Sequence, residues 1–192
     1  MKQLTKNIFY LFLNSASIAL LGIIFWGLLT KYLDVNDYGK VSFILSSSIL
    51  LVNILSFGIF SALWRYCSIG KFEDIFGFSF LISFLINFLI FLFSFLIFKN
   101  FLIFLLSFLM FFSSFFESIL YGYQRVDKIF ISNFFPTLLK IFLIFIFLFF
   151  FKLSFEEVIV LIILSTLISI FFKFIFLTDK IKNLRVNFER IK

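Results

Sequence analysis

The fold class predicted from the amino-acid sequence is all-α, a polytopic membrane protein built as a bundle of six transmembrane helices with both termini cytoplasmic. Three observations predict it. Hydrophobic residues fill 63% of the 192 positions, 38 of them Phe, and the mean hydropathy is +1.19. A water-soluble core of this size cannot bury so much apolar surface, so lipid must be the solvent. Apolar runs of roughly 20 residues recur along the chain, the length a helix rising about 1.5 Å per residue needs to cross the hydrocarbon. Lys and Arg are unevenly shared between alternate connections, as a fixed orientation requires.

The runs lie at 8–29, 41–63, 75–98, 101–121, 131–151 and 158–177. The first is too long for a cleavable signal peptide and lacks a small-residue cleavage site. It ends at a polar hinge, DVNDYG at 34–39, where Asp34, Asn36 and Asp37 are turn and cap formers and Gly39 is free to take the positive φ that lets the chain re-enter. The second run places Ser42, Ser46, Asn53 and Ser56 within an arc of about 80° and closes on Arg65. The third repeats the pattern with Ser79, Ser83, Asn87 and Ser94. Ser107, Ser114 and Ser118 mark the fourth, and Asn133, Thr137 and Lys140 the fifth. Each helix therefore has one face expected to avoid lipid, either as interhelical glue or as the lining of a hydrated cavity. The amides of Asn14, Asn53 and Asn87 fit either reading.

The connections at 34–40, 64–74, 99–100, 122–130 and 152–157 are short. They predict that sequence neighbours are antiparallel neighbours in one lobe, residues 1–177, followed by a basic cytoplasmic tail at 178–192. With the N-terminus inside, the cytoplasmic face collects Lys2, Lys6, Arg65, Lys71, Arg125, Lys128 and the tail's Lys180, Lys182, Arg185, Arg190 and Lys192. The outer face has only Lys31, Lys40, Lys99 and Lys152. Basic residues so placed reflect orientation and anionic lipid, not nucleic acid.

Lys140 is the most informative residue. It stands roughly 15 Å into its helix at the standard rise, where an ammonium costs about 2.5–3.5 kcal/mol on insertion scales. Water in a cavity, a carboxylate or an anionic ligand must offset that. Asn133 and Thr137 share its face, and Pro136 permits a bend toward the interior. The fork of Arg65 suits a phosphate or diphosphate, and equally a lipid headgroup. Glu117, the one acid inside a run, is open to pairing with Lys140 or Arg65, to a coupling cation or to headgroup water. Snorkelling suffices for Lys173. The chain has no His and one Cys, Cys67, which excludes the usual zinc clusters, His acid/base pairs, Cys-His nucleophiles and an internal disulfide. No cofactor or metal and no enzymatic activity are expected, and Cys67 reads as a small neutral residue at a helix end.

Two phrases, Thr30-Lys31-Tyr32-Leu33-Asp34-Val35-Asn36-Asp37-Tyr38-Gly39 and Ser56-Phe57-Gly58-Ile59-Phe60-Ser61-Ala62-Leu63-Trp64-Arg65-Tyr66, resemble the N-terminal signature of the polysaccharide biosynthesis flippases. These are lipid-linked oligosaccharide transporters of the MATE-like (MOP) superfamily. Asp34-Val35 stands where that family often has Gly-Pro. The segment Leu120-Tyr121-Gly122-Tyr123-Gln124-Arg125-Val126-Asp127-Lys128 is similar to the loop before the family's basic fifth helix.

The resemblance covers nearly the whole chain but only half of the family's usual length. It implies a half-length or truncated transporter in the cytoplasmic membrane that flips a polyprenyl-diphosphate-linked oligosaccharide. Its expected partners are the anionic lipid-linked glycan, membrane lipids and a second six-helix lobe, supplied by the chain itself or by another chain. The substrate-binding residues expected on this reading are Lys140, Arg65, Asn133, Thr137, Asn53 and Asn14, with Glu117 as an ion or charge partner. A non-transporting scaffold for glycan-synthesis enzymes and a MATE-type small-molecule exporter are the alternatives.

Overall fold

The computed structural model describes residues 2–70, 72–150 and 154–181. Among them the chain is helical throughout: α1 (Lys2–Tyr32), α2 (Val35–Leu55), α3 (Ile59–Ser68), α4 (Phe72–Phe93) prolonged by a π turn (Ser94–Phe98), α5 (Phe101–Gly122), α6 (Val126–Phe150) and α7 (Phe155–Ile181). Five of these, α1, α2, α5, α6 and α7, contain stretches long and apolar enough to cross a membrane, and α4 with its π turn contributes a shorter apolar stretch, Leu81–Leu96. The protein is thus an all-α, multi-pass membrane protein. Of the tail expected at 178–192, residues 178–181 continue α7 and the rest lies outside the described residues. Lys71 and Lys152, which enter the charge asymmetry, lie outside them too.

The hinge is tighter than the sequence suggests. Only Leu33 and Asp34 separate α1 from α2, and Asp34 is the N-cap in an extended conformation (φ −65°, ψ 151°). Gly39 therefore lies inside α2 and has no positive φ to supply, contrary to expectation. Asp37 sits in the first turn, where a carboxylate complements the helix dipole, and pairs with Lys40 at 2.9 Å.

The second run is not one continuous helix. It breaks at 56–58, where Phe57 (φ 43°) and Gly58 (φ 77°) both enter the left-handed region. Gly58 is the N-cap of α3, a conformation that costs a Cβ-bearing residue energy. The turn at 99–100 falls where expected, with the Asn100 side chain accepting from the Leu102 N–H at 2.9 Å. At the start of α7, Glu157 accepts from the Ser154 N–H at 2.8 Å and from its hydroxyl, so the carboxylate reaches back to cap the chain entering the helix.

Packing follows chain order only in part: α6 lies against its neighbour α7 as expected, but other pairs are distant in sequence. The centre is α5, against which α2, α3 and α7 pack, while α6 joins α1 to α7. α1 and α2 touch at few points despite their short connection, so the expectation that sequence neighbours pair fails there. The reason is visible on α1, whose buried residues Asn14, Leu21, Phe25 and Leu29, continued by Leu33 just past its end, form one stripe at intervals of seven and four residues, available to a single partner helix. On α2 the inward face is set by Val41, Ile44, Leu45, Ser48, Val52 and Leu55. Ser46 and Asn53, expected on the protected face, are exposed. Ser48 and Ser107 instead join α2 to α5, each donating to a backbone carbonyl across the pair (3.3 and 3.5 Å). The stripe on α4 is buried as expected, with Ser83 and Asn87 donating to carbonyls one turn back at 2.6 and 2.8 Å.

Candidate functional site

Five helices line an open cavity of about 360 Å³. Ile18 of α1, Leu45 of α2, Ser113 and Glu117 of α5, Asn133, Pro136, Thr137 and Lys140 of α6, and Ser165, Thr166, Ser169 and Lys173 of α7 line it. Each polar group reaches it through helical spacing. Asn133, Thr137 and Lys140 recur at four and three residues on α6, and Ser165 or Thr166, Ser169 and Lys173 do so on α7. Ser113 and Glu117 stand one turn apart on α5.

The charged centre is an ion pair. Lys173 Nζ donates to Glu117 Oε2 at 2.7 Å and to Ser113 Oγ at 2.8 Å, with the Ser113 carbonyl at 3.4 Å. The lysine side chain is 1% exposed and the glutamate 23%. Snorkelling, expected for Lys173, is therefore overturned: the ammonium turns inward because a carboxylate and a hydroxyl on α5 meet it there. Asn133 Nδ2 lies 3.5 Å from each Glu117 oxygen and 3.4 Å from Asn14 Oδ1, so a polar chain runs from α1 through α6 and α5 to α7. Tyr121 is a further polar neighbour of the same carboxylate.

Lys140 is held differently. Its Nζ lies 4.2 Å from the centroid of the Phe25 ring on α1, a cation–π contact strengthened by desolvation. Among the described residues no carboxylate lies within ion-pairing distance of it. Among the described residues the cavity is thus lined by two ammonium groups and one carboxylate, a formal charge of one positive.

Of the residues singled out from sequence, Lys140, Asn133, Thr137 and Glu117 line this cavity, and Asn14 joins it through Asn133. Asn53 lines a neighbouring space of about 190 Å³ with Ser113, Ser114 and Thr166, sharing Ser113 and Thr166 with the main cavity. Arg65 is not brought there. It is exposed on α3, which packs on another flank of α5 and borders an apolar groove of about 670 Å³ against α4, lined by Gly58, Ala62, Leu63, Ile82 and Ile86 among others. That groove is larger and mostly apolar, with Ser56, Tyr66 and Ser79 as its polar lining and no ionic group among the described residues. Lys173, Ser113 and Ser169 were missed by sequence reasoning. The signal was present in the four-residue spacing of Ser165, Ser169 and Lys173 on one face of the last helix.

Among the described residues no group of three or more His, Cys, Asp or Glu is placed to hold a metal ion. No curated protein and no solved structure matches the chain significantly. The family profile described as "polysaccharide biosynthesis protein" matches residues 4–192. With its bundle of apolar helices around a charged interior, the chain belongs to the polysaccharide biosynthesis protein family, a non-catalytic family of membrane proteins.

Proposed function

We propose that this protein translocates a polyprenyl-diphosphate-linked oligosaccharide across the cytoplasmic membrane for surface polysaccharide synthesis. The observation that carries the reading is the cavity with Lys140 and Lys173 set against the single carboxylate of Glu117. An anionic diphosphate cannot cross hydrocarbon unaided, and a buried site with surplus positive charge lowers its barrier while the prenyl tail stays in lipid. Lys140 is the group proposed to meet the diphosphate, with Asn133, Thr137 and Asn14 as hydrogen-bonding neighbours and Asn53 beside them. Arg65 is proposed to meet anionic headgroups at the membrane surface. The same charge balance disfavours an organic-cation exporter, whose cargo would want an acidic interior.

On this reading α2 with α3 makes one crossing and α4 with its π turn another, giving six spans with both termini cytoplasmic. A second six-helix lobe, from another copy or another chain, then supplies the opposite wall for alternating access. The test is surface glycan in cells that depend on this protein. Lys140→Ala is expected to abolish it and Lys140→Arg to retain part of it. Normal glycan with Lys140→Ala would remove the proposed role.

A further inference from the structure

We infer that Glu117 is a built-in counter-anion that cargo must displace from Lys173, so that this carboxylate determines which anions the cavity accepts; the inference rests on the translocation reading above. The two partners are held unequally. Lys173 has two contacts to Ser113, at 2.8 and 3.4 Å, that do not involve the carboxylate. Its ammonium therefore stays in position when Glu117 leaves. Glu117 has one short contact, to Lys173 at 2.7 Å, while both approaches of Asn133 are at the 3.5 Å limit. Tyr121 is its remaining polar neighbour. The glutamate side chain is the more exposed of the pair, 23% against 1%, and it lines the cavity.

An anion oxygen arriving in the cavity can replace Oε2 on a preset ammonium. Charge decides which anion succeeds. A monoanion is matched by Lys140 alone and has nothing left with which to compete for Lys173, while Glu117 repels it. A diphosphate brings several oxygens and more than one negative charge, enough to engage both ammonium groups. Glu117 thus acts as a specificity-determining residue that favours multivalent anions. Its departure also frees Asn133, whose other contact is Asn14 on α1, so the α1–α6 contact registers that cargo has arrived.

The experiment measures binding of inorganic pyrophosphate, farnesyl diphosphate and dimethyl phosphate to the purified full-length chain in detergent. Wild type is compared with Glu117→Gln, Lys173→Met and the double variant. Wild type is expected to bind the two diphosphates and to reject the monoanion. Glu117→Gln is expected to bind dimethyl phosphate about tenfold tighter, within the usual range for coupled sites, so that discrimination narrows. In the Lys173→Met background the same substitution should gain severalfold less. Farnesyl diphosphate binding more tightly than pyrophosphate identifies a lipid-borne ligand, and equal binding a free one; either is compatible with displacement.

An unchanged monoanion affinity in Glu117→Gln overturns the inference while leaving translocation standing, as does an equal gain in both backgrounds. Wild type that binds no diphosphate overturns both. Because Glu117→Gln leaves a buried ammonium unpaired, its thermal unfolding is also followed. Pyrophosphate should restore its midpoint by more than it raises that of wild type, and a purely structural role for Glu117 predicts equal shifts.

Discussion

Cutting the ion pair from its two sides should have unequal consequences, because the partners differ in their access to water. At 2.7 Å the Lys173–Glu117 attraction amounts to about 6 kcal/mol at an effective dielectric of 20, before the desolvation of both groups is subtracted. Removing one member of a buried pair typically costs ~3–5 kcal/mol, because the survivor keeps an uncompensated charge. Glu117→Gln leaves an ammonium that is 1% exposed, with only Ser113 to receive it, and should incur that full cost. Lys173→Met leaves a carboxylate that is 23% exposed, next to Asn133 and the cavity, where water can reach it. About 1–3 kcal/mol is expected there, the cost of a charged hydrogen bond lost from a partly hydrated group. The double variant, two neutral side chains of similar volume, should fall between wild type and Lys173→Met. Thermal unfolding of the detergent-solubilised protein reads this out. At roughly 2–4 °C per kcal/mol for a chain of this size, Glu117→Gln should melt about 6 °C or more below wild type. If Lys173→Met proves as damaging as Glu117→Gln, or the double variant no better than either single one, the burial argument is refuted.

Three further outcomes follow from the packing. A Cβ added at Gly122 would lie 2.2 Å from Cys67 Cβ and 2.8 Å from the Trp64 carbonyl oxygen. Gly122→Ala must therefore push α3 off α5, at a cost of about 1–3 kcal/mol by the measure of overpacked cores, checked by thermal unfolding. Cys67 is 3% exposed, so N-ethylmaleimide should leave it unlabelled in the folded protein and label it faster in Gly122→Ala, as followed by mass spectrometry. Glu157→Ala removes the carboxylate that caps the start of α7 at Ser154. A loss of about 0.5–2 kcal/mol is expected, with increased amide exchange confined to the first turn of that helix; exchange spread along all of α7 would contradict a local cap.

The composition and run lengths made the membrane class legible, and the face-sharing of Asn133, Thr137 and Lys140 made half of the cavity legible, since helical period alone puts them on one side. Helix partners were legible only in part, α6 with α7 being the pair that the short connection predicts. Connection length says that α1 and α2 are close at one end, but α1 packs on α6 because its single buried stripe finds a match there. In lipid no hydrophobic driving force favours one helix over another, so shape-matched packing and the small and polar residues that allow close approach make the choice. The contact between Asn14 and Asn133, the bonds from Ser48 to the Ile103 carbonyl and from Ser107 to the Ser48 carbonyl, and the approach of Cys67 to Gly122 are all of that kind, and none announces its partner in the sequence.

The fate of Lys173 follows the same logic. Near a helix end, a lysine is free to reach headgroups, and sequence position alone favours that. What turns it inward is Glu117 with Ser113 on a helix about 60 residues earlier in the chain, where an acid and a hydroxyl one turn apart offer three contacts in place of hydration. The same pairing explains why a single carboxylate persists in so apolar a fourth run. Without Lys173 it would be a partly hydrated charge with no counterion, and without Glu117 the cavity would hold two unmatched ammonium groups. One pair therefore lets the bundle keep the surplus charge of Lys140 at a tolerable cost in stability.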